Sequence, residues 1–326
     1  MKFAILGAGS WGTALSVHLA RAGQSPLLWG RDPETIRAIG RERRHPRRLA
    51  GIEVPEAVRV TSDLAEAFRR ADTLLVAVPC ASMRALLGAT PASDGHRFVS
   101  TAKGLEPESS RRMSELIREA HPKAPVAALS GPTFADGVAR GDPTAAVVAS
   151  EDRDIARTLQ SLLSTPEFRL YTSDDLVGVE LCGALKNVVA IAAGIVSGLG
   201  FGHNTLAALV TRGLAEIDRI VEARGGRAST VHGLAGMGDL MLTCTGNESR
   251  NRRVGEQIGR GRKLSDVLIE MPEVAEGART CLAVPALAAR SGVEAPIAQA
   301  VVSVLYEAMP PREAIERLMT RALRPE

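Results

Sequence analysis

Aromatic residues are scarce in this chain. Phe, Trp and Tyr supply only 3% of its 326 residues. The core must therefore be filled by small aliphatic side chains, as in parallel-sheet and helical proteins. Net charge is nearly absent too: 40 Lys and Arg stand against 37 Asp and Glu, a formal +3. That balance argues against a nucleic-acid partner. Cysteine is sparse, and Cys80, Cys182, Cys244 and Cys281 lie far apart with no C-x-x-C spacing. No disulfide framework or Cys-based metal site follows, and a reduced chain in the cytoplasm is expected. The apolar stretch from Val188 to Leu199 is short and broken by glycine, so no membrane span is expected. Lys2-Phe3-Ala4-Ile5-Leu6 already reads as a strand, with no charged region or cleavage site before it, so no signal peptide is expected. Internal repeats and low-complexity linkers are missing as well.

Hydrophobic residues, at 45%, are plentiful, and the length suggests two domains. In the first half, apolar runs alternate with helical periodicity. Strands are expected at Phe3–Leu6, Pro26–Trp29, Val58–Thr61, Thr73–Val78, Phe98–Thr101, Val126–Leu129, Ala145–Ala149 and Phe168–Tyr171. Helical stretches such as Trp11–Arg21, Pro33–Gly40, Leu64–Arg70 and Ile155–Leu163 fall between them. This alternation predicts an α/β class, a doubly wound and mostly parallel sheet with helices on both faces. Beyond about Ser173 the apolar spacing becomes helical throughout. The expected division is a dinucleotide-binding domain over 1–176 and an all-α domain over 177–326 that carries substrate and catalysis. A cleft between two domains is where a ligand is expected.

Gly7-Ala8-Gly9-Ser10-Trp11-Gly12 fits G-x-G-x-x-G, follows a strand and opens a helix. That context turns a weak motif into a Rossmann-like dinucleotide fingerprint. Gly7 permits the tight turn, Gly9 admits the pyrophosphate, and Gly12 lets helix and strand touch. The helix N-terminus supplies N–H groups and a positive dipole end. At the end of the second strand stands Gly30 rather than an acid. Arg31 follows and suits a 2′-phosphate, which favours NADP(H) over NAD(H). Asp32 reads either as the ribose-binding acid or as the cap of the next helix, with Pro33 at its first position. The arginines from Arg31 to Arg48 read either as a solvated face or as an anion site.

In the second half, Lys186 has Cys182, Gly183, Val189 and Ala190 at helical neighbour positions. Surroundings this apolar would lower its pKa and suit it to exchange a proton with a substrate hydroxyl. The alternative is a Lys that snorkels from a helix edge. Asp239, in Gly236-Met237-Gly238-Asp239, reads either as a partner of Lys186 or substrate, or as a helix N-cap. Ser249-Arg250-Asn251 reads as a helix start able to bind phosphate, or as part of a solvated Arg cluster. Gly131-Pro132-Thr133-Phe134 and Lys103 both follow strands, at the sheet edge that carries ligands in open α/β folds.

Across its whole length the chain resembles the bacterial NAD(P)-dependent glycerol-3-phosphate dehydrogenase family. Seven blocks match in order: GAGSWGTAL from Gly7, TAKGLE from Thr101, SGPTFA from Ser130, GALKNVVAIAAG from Gly183, TRGLAE from Thr211, GLAGMGDLMLTCT from Gly233 and SRNRRVG from Ser249. The resemblance implies interconversion of dihydroxyacetone phosphate and sn-glycerol 3-phosphate, feeding phospholipid synthesis, by a homodimer without a metal. It implies Lys186 as proton acceptor with Asp239 beside it. Lys103, Gly131, Thr133, Lys186, Asp239, Ser249, Arg250 and Asn251 would hold substrate. Ser10, Trp11, Arg31, Arg48, Lys103, Ala135, Arg250, Val274 and Glu276 would touch cofactor. Arg48 departs from the aromatic usual at its position, Asp136-Gly137 from a basic-acidic pair, Ala275 from Val, and the loop Gly202–Leu206 from an acid and a base. A β-hydroxyacid-type dehydrogenase is the alternative, but its pattern has Asn four residues after the Lys, where this chain has Ala190.

Overall fold

The structure is a computed structural model that describes residues 2–91, 95–271 and 275–323. The chain divides into two compact units, Met1–Ala102 with Arg112–Val179, and Lys103–Arg111 with Glu180–Glu326. The short segment from Lys103 thus belongs with the helices, although it directly follows a strand.

The first unit is built on a single eight-stranded sheet ordered β3-β2-β1-β4-β5-β6-β7-β8. Its strands are β1 (Phe3–Leu6), β2 (Leu27–Trp29), β3 (Arg59–Thr61), β4 (Thr73–Val76), β5 (Arg97–Ser100), β6 (Val126–Ser130), β7 (Thr144–Ala149) and β8 (Phe168–Ser173). All pair in parallel except β6 with β7, where Ala128 faces Ala149 antiparallel. The helices are α1 (Ser10–Arg21), α2 (Pro33–Glu42), α3 (Leu64–Arg70), α4 (Cys80–Gly88), α5 (Met113–Ala120), α6 (Ala135–Arg140) and α7 (Arg153–Leu163). Side chains alternate across a strand, and here both sides are covered. Phe3 and Ile5 pack with Leu15 of α1, Ile39 of α2 and Leu159 of α7. Ala4 and Leu6 pack with Phe68 of α3, Met83 of α4 and Leu116 of α5 on the other face. Double coverage is why the inner strands read mostly as apolar runs, while the edge strands β3 and β8 carry exposed Arg59 and Arg169. The strand order reverses between β1 and β4, and the crevice at such a switch point binds ligands in open α/β sheets.

The second unit is helical: α8 (Leu176–Gly198), α9 (His203–Ala223), α10 (Ala228–Val231), a π-helical turn (Leu234–Gly238), α11 (Asp239–Thr245), α12 (Arg250–Gly259), α13 (Leu264–Glu270), α14 (Glu276–Arg290), α15 (Pro296–Tyr306) and α16 (Pro311–Met319). Two expectations change here. His203–Leu206 is no loop but the first turn of α9, because extended Gly202 already serves as its N-cap. The apolar run at Val188 lies within a helix of 23 residues, long and apolar enough to cross a membrane by length and composition. Its most apolar window is, however, wholly buried inside the fold.

A seam of glycines sets the position of α12 against α8. A Cβ on Gly255 would lie 2.0 Å from the Ile191 carbonyl oxygen, and one on Gly194 2.0 Å from that of Arg252. The two backbones touch, so no side chain fits. Gly255→Val must push α12 away and with it Asn251. We expect a loss of roughly 1–3 kcal/mol or more, read as a lower urea midpoint. An unchanged midpoint would show that the seam tolerates separation.

Candidate active site

Lys186 sits midway along α8, and its side chain is buried rather than snorkelling, at 4% exposure. Its Nζ donates to Asp239 Oδ1 at 2.5 Å and to Thr243 Oγ1 at 2.7 Å. Thr243 stands one helical turn after Asp239, and its hydroxyl donates to the Asp239 carbonyl at 2.6 Å. The hydroxyl proton is thereby engaged, which leaves the oxygen lone pair aimed at the amine. Asp239, 1% exposed, is not the N-cap of α11. The π-helical turn runs into α11 through Gly238, whose backbone is helical, and the carboxylate is left free to turn inward. Its second oxygen accepts from Lys103 Nζ at 2.8 Å. One carboxylate therefore serves two ammoniums.

That imbalance and the burial decide the charge on Lys186. Desolvation lowers its pKa, Asp239 raises it, and the nearby Lys103 lowers it again, with the result at about 8. The ordinary value is near 10.5, so the amine has become able to give and take a proton near neutral pH. Cys244 lies in the same surroundings, but burial pushes its thiol up to about 12, so it stays protonated and unreactive.

An amide chain extends the network. Asn187 Nδ2 donates to the Lys103 carbonyl at 2.8 Å, and Asn251 Nδ2 donates to Asn187 Oδ1 at 2.8 Å. Asn251 Oδ1 then accepts from the N–H of Gly277 at 2.9 Å, beside Glu276 in the first turn of α14. Ser249 caps α12 by accepting from Arg252 N–H at 3.3 Å, and Arg250, next along, is exposed. Lys103, Lys186, Asp239 and Asn251 are thus brought into one hydrogen-bonded cluster within the helical unit. Sequence reasoning did not single out Asn187 or Thr243. The spacing of four between Asp239 and Thr243 is the signal that a helix there would have supplied. Val274 lies outside the described residues.

The sheet unit carries the remaining predicted residues. Gly7, at φ +127°, and Gly12 close the turn after β1: a Cβ on Gly12 would meet the Gly7 carbonyl oxygen at 1.8 Å. A Cβ on Gly9 would meet nothing within 4 Å, so the backbone there borders open space. No side chain caps α1, and its first turn contains no acid. Its leading N–H groups are therefore left for an anion, and the residues present fit a dinucleotide pyrophosphate. Trp11 and Ala135 pack in one small cluster with Leu49, the neighbour of Arg48. Gly131, at φ +137°, follows β6, and Thr133 Oγ1 donates to its carbonyl at 3.2 Å. Arg31 is exposed just after β2, and Asp32 caps α2 through Glu34 and Thr35 N–H groups.

Family descriptions of the NAD-dependent glycerol-3-phosphate dehydrogenase N-terminus and C-terminus match residues 2–156 and 175–316. Glycerol-3-phosphate dehydrogenase (NAD(P)+) of Nitratidesulfovibrio vulgaris strain DP4 is 47% identical, with each chain covered in full. The same-named protein of Koribacter versatilis is 47% identical over 98% of this chain and 97% of its own. The crystal structure of glycerol-3-phosphate dehydrogenase from Coxiella burnetii superposes with a TM-score of 0.92 at 38% identity, covering 98% of this chain and 99% of that one. A D-mandelate dehydrogenase, at 14% identity and a TM-score of 0.64, shares the fold alone. This chain belongs to the NAD-dependent glycerol-3-phosphate dehydrogenase family.

Proposed function

We propose that the chain interconverts dihydroxyacetone phosphate and sn-glycerol 3-phosphate, with NADP(H) preferred and NAD(H) second, to supply glycerol 3-phosphate for phospholipid synthesis. The observation that carries this reading is the buried Lys186 amine, held on Asp239 at 2.5 Å. A bound nicotinamide would supply hydride acceptance from, or donation to, the substrate C2. In the oxidation Lys186 Nζ removes the C2 hydroxyl proton as that hydride leaves, and in the reduction it gives the proton back. Asp239 orients the amine and stabilises its ammonium form, while Lys103 keeps that stabilisation partial. In the helical unit Ser249, Arg250 and Asn251 offer the phosphate a helix N-terminus and a guanidinium. Gly131 and Thr133 are further substrate contacts. Ser10, Trp11, Arg31, Arg48 and Ala135 in the sheet unit, with Lys103, Arg250, Val274 and Glu276, are cofactor contacts. A homodimer in the cytoplasm completes the reading.

The deciding experiment is cofactor oxidation with dihydroxyacetone phosphate, run with NADPH and NADH in parallel and against β-keto acids. Turnover of the keto acids alone would overturn the reading in favour of a β-hydroxyacid-type enzyme. The pH dependence has a fixed sign. Oxidation needs the neutral amine, so its kcat/KM rises with pH through a midpoint of about 8. Reduction needs the ammonium, so its kcat/KM falls through the same midpoint. Flat profiles between pH values of roughly 6 and 9 would remove Lys186 from the proton transfer.

A further inference from the structure

The segment after α2 holds a histidine and an arginine that the site described above does not use. His45 is buried, and both of its ring nitrogens are engaged. Nδ1 accepts the N–H of Arg47 at 3.1 Å, and Nε2 lies 2.9 Å from the carbonyl oxygen of Ala8. A carbonyl can only accept, and Nδ1 is already an acceptor. The ring is therefore neutral with its proton on Nε2. Burial holds its pKa below the usual value, and Arg48 and Arg47 add to that effect against the bond to Ala8. Ala8 lies between the first two glycines of the dinucleotide turn, so His45 staples this segment to that turn.

The staple directs Arg47 to the carboxyl end of β2. Its Nη2 donates to Thr35 Oγ1 at 3.0 Å and lies 3.4 Å from Asp32 Oδ2. Its side chain is nevertheless 72% exposed, so the guanidinium keeps N–H groups for a ligand. The same region lacks an acid at the strand end itself. The position that usually carries the ribose-binding acid is Gly30, where a Cβ would approach the Ala8 Cβ at 2.9 Å. Asp32 is committed to capping α2 and to Thr35. Arg31 and Arg47 stand at this strand end beside the N-terminus of α2, with the carboxylates of Asp32, which Arg47 partly neutralises, and of Glu34 in the first turn of that helix.

We infer that Arg47 reads the 2′-phosphate of the adenosine ribose, and that His45 is the positioning residue that brings it there. This rests on the NADP(H) preference proposed above. Arg47 offers a planar fork to a dianionic phosphate, and a nucleotide without that phosphate gains nothing from it.

The test is a calorimetric titration of the protein with adenosine 2′,5′-bisphosphate and with 5′-AMP, beside steady-state kinetics with NADPH and NADH. Arg47→Gln should weaken the bisphosphate roughly tenfold relative to 5′-AMP and lower the NADPH-over-NADH ratio of kcat/KM by a similar factor. His45→Ala should lower the same ratio, and His45→Asn, whose side-chain oxygen can accept the Arg47 N–H, should restore part of it. If wild type prefers NADPH and Arg47→Gln keeps the ratio, the role of Arg47 is overturned and the cofactor reading stands. If wild type shows no preference, the cofactor reading falls and this inference with it. If His45→Ala weakens both nucleotides equally, His45 does not position Arg47. Arg47 is exposed, so its variant decides the matter even if His45→Ala fails to fold.

Discussion

Lys186→Ala is expected to cut kcat by about a hundred- to ten-thousand-fold, the usual weight of a positioned acid–base group, while NADPH still binds. The proposed pyrophosphate site lies on the β1–α1 turn of the sheet unit, which the substitution leaves untouched. The fold should survive as well. Without Lys186, Asp239 keeps Lys103 at 2.8 Å, and two charges that balance replace three that do not. Steady-state turnover, NADPH fluorescence titration and thermal unfolding would be measured together. Normal turnover would show that Lys186 is not the proton-transfer group. Lost turnover together with lost NADPH binding would point to a structural role instead.

Asp239→Asn should damage both activity and stability, and the stability loss should depend on pH. Removing one partner of a buried ion pair costs about 3–5 kcal/mol when the remaining charge has no escape. Here Lys186 has one, because its pKa already lies at about 8 and Asp239 is what raises it. Without the carboxylate, burial and Lys103 act unopposed, and the pKa falls further. The ammonium can then shed its proton, which limits the penalty. The linkage sign follows: both proteins have a Lys186 pKa below that of the unfolded chain, and the variant's is the lower. At pH values below both, each carries the ammonium and the variant bears the full deficit. As pH rises through about 8 the wild-type amine also becomes neutral, and the Lys186 share of the deficit disappears. Urea unfolding at pH values of roughly 6 and 9 should therefore show the larger gap at the acid value. The midpoint of the kcat/KM profile should move to lower pH for the same reason. A gap that widens toward alkaline pH would show that Asp239 does not sustain the charge on Lys186.

The elements of the sheet unit are legible in the sequence because their signals are local. Most strands are apolar runs bounded by turn residues, and Asp32-Pro33 and Asp152 announce the helices they cap. The same holds for the Gly-rich turn and for the small, apolar neighbours that leave Lys186 poorly hydrated. The His203 helix start and the π-helical turn before Asp239 are harder to read, because a glycine can extend, cap or continue a helix equally well. Arg47 illustrates the limit: as one of a crowd of arginines it reads as a solvated face, and only His45 and Thr35 give it a direction.

The residue pattern by itself determined the chemistry on offer: an amine in apolar surroundings, a glycine turn for a dinucleotide and a helix start rich in arginine. Tertiary structure alone decided which charges meet. Lys186 and Asp239 are 53 positions apart and Lys103 and Asp239 are 136 apart, and no periodicity spans such distances. The pKa of the amine depends on that meeting, because desolvation and Coulomb interaction act through space and are indifferent to position along the chain.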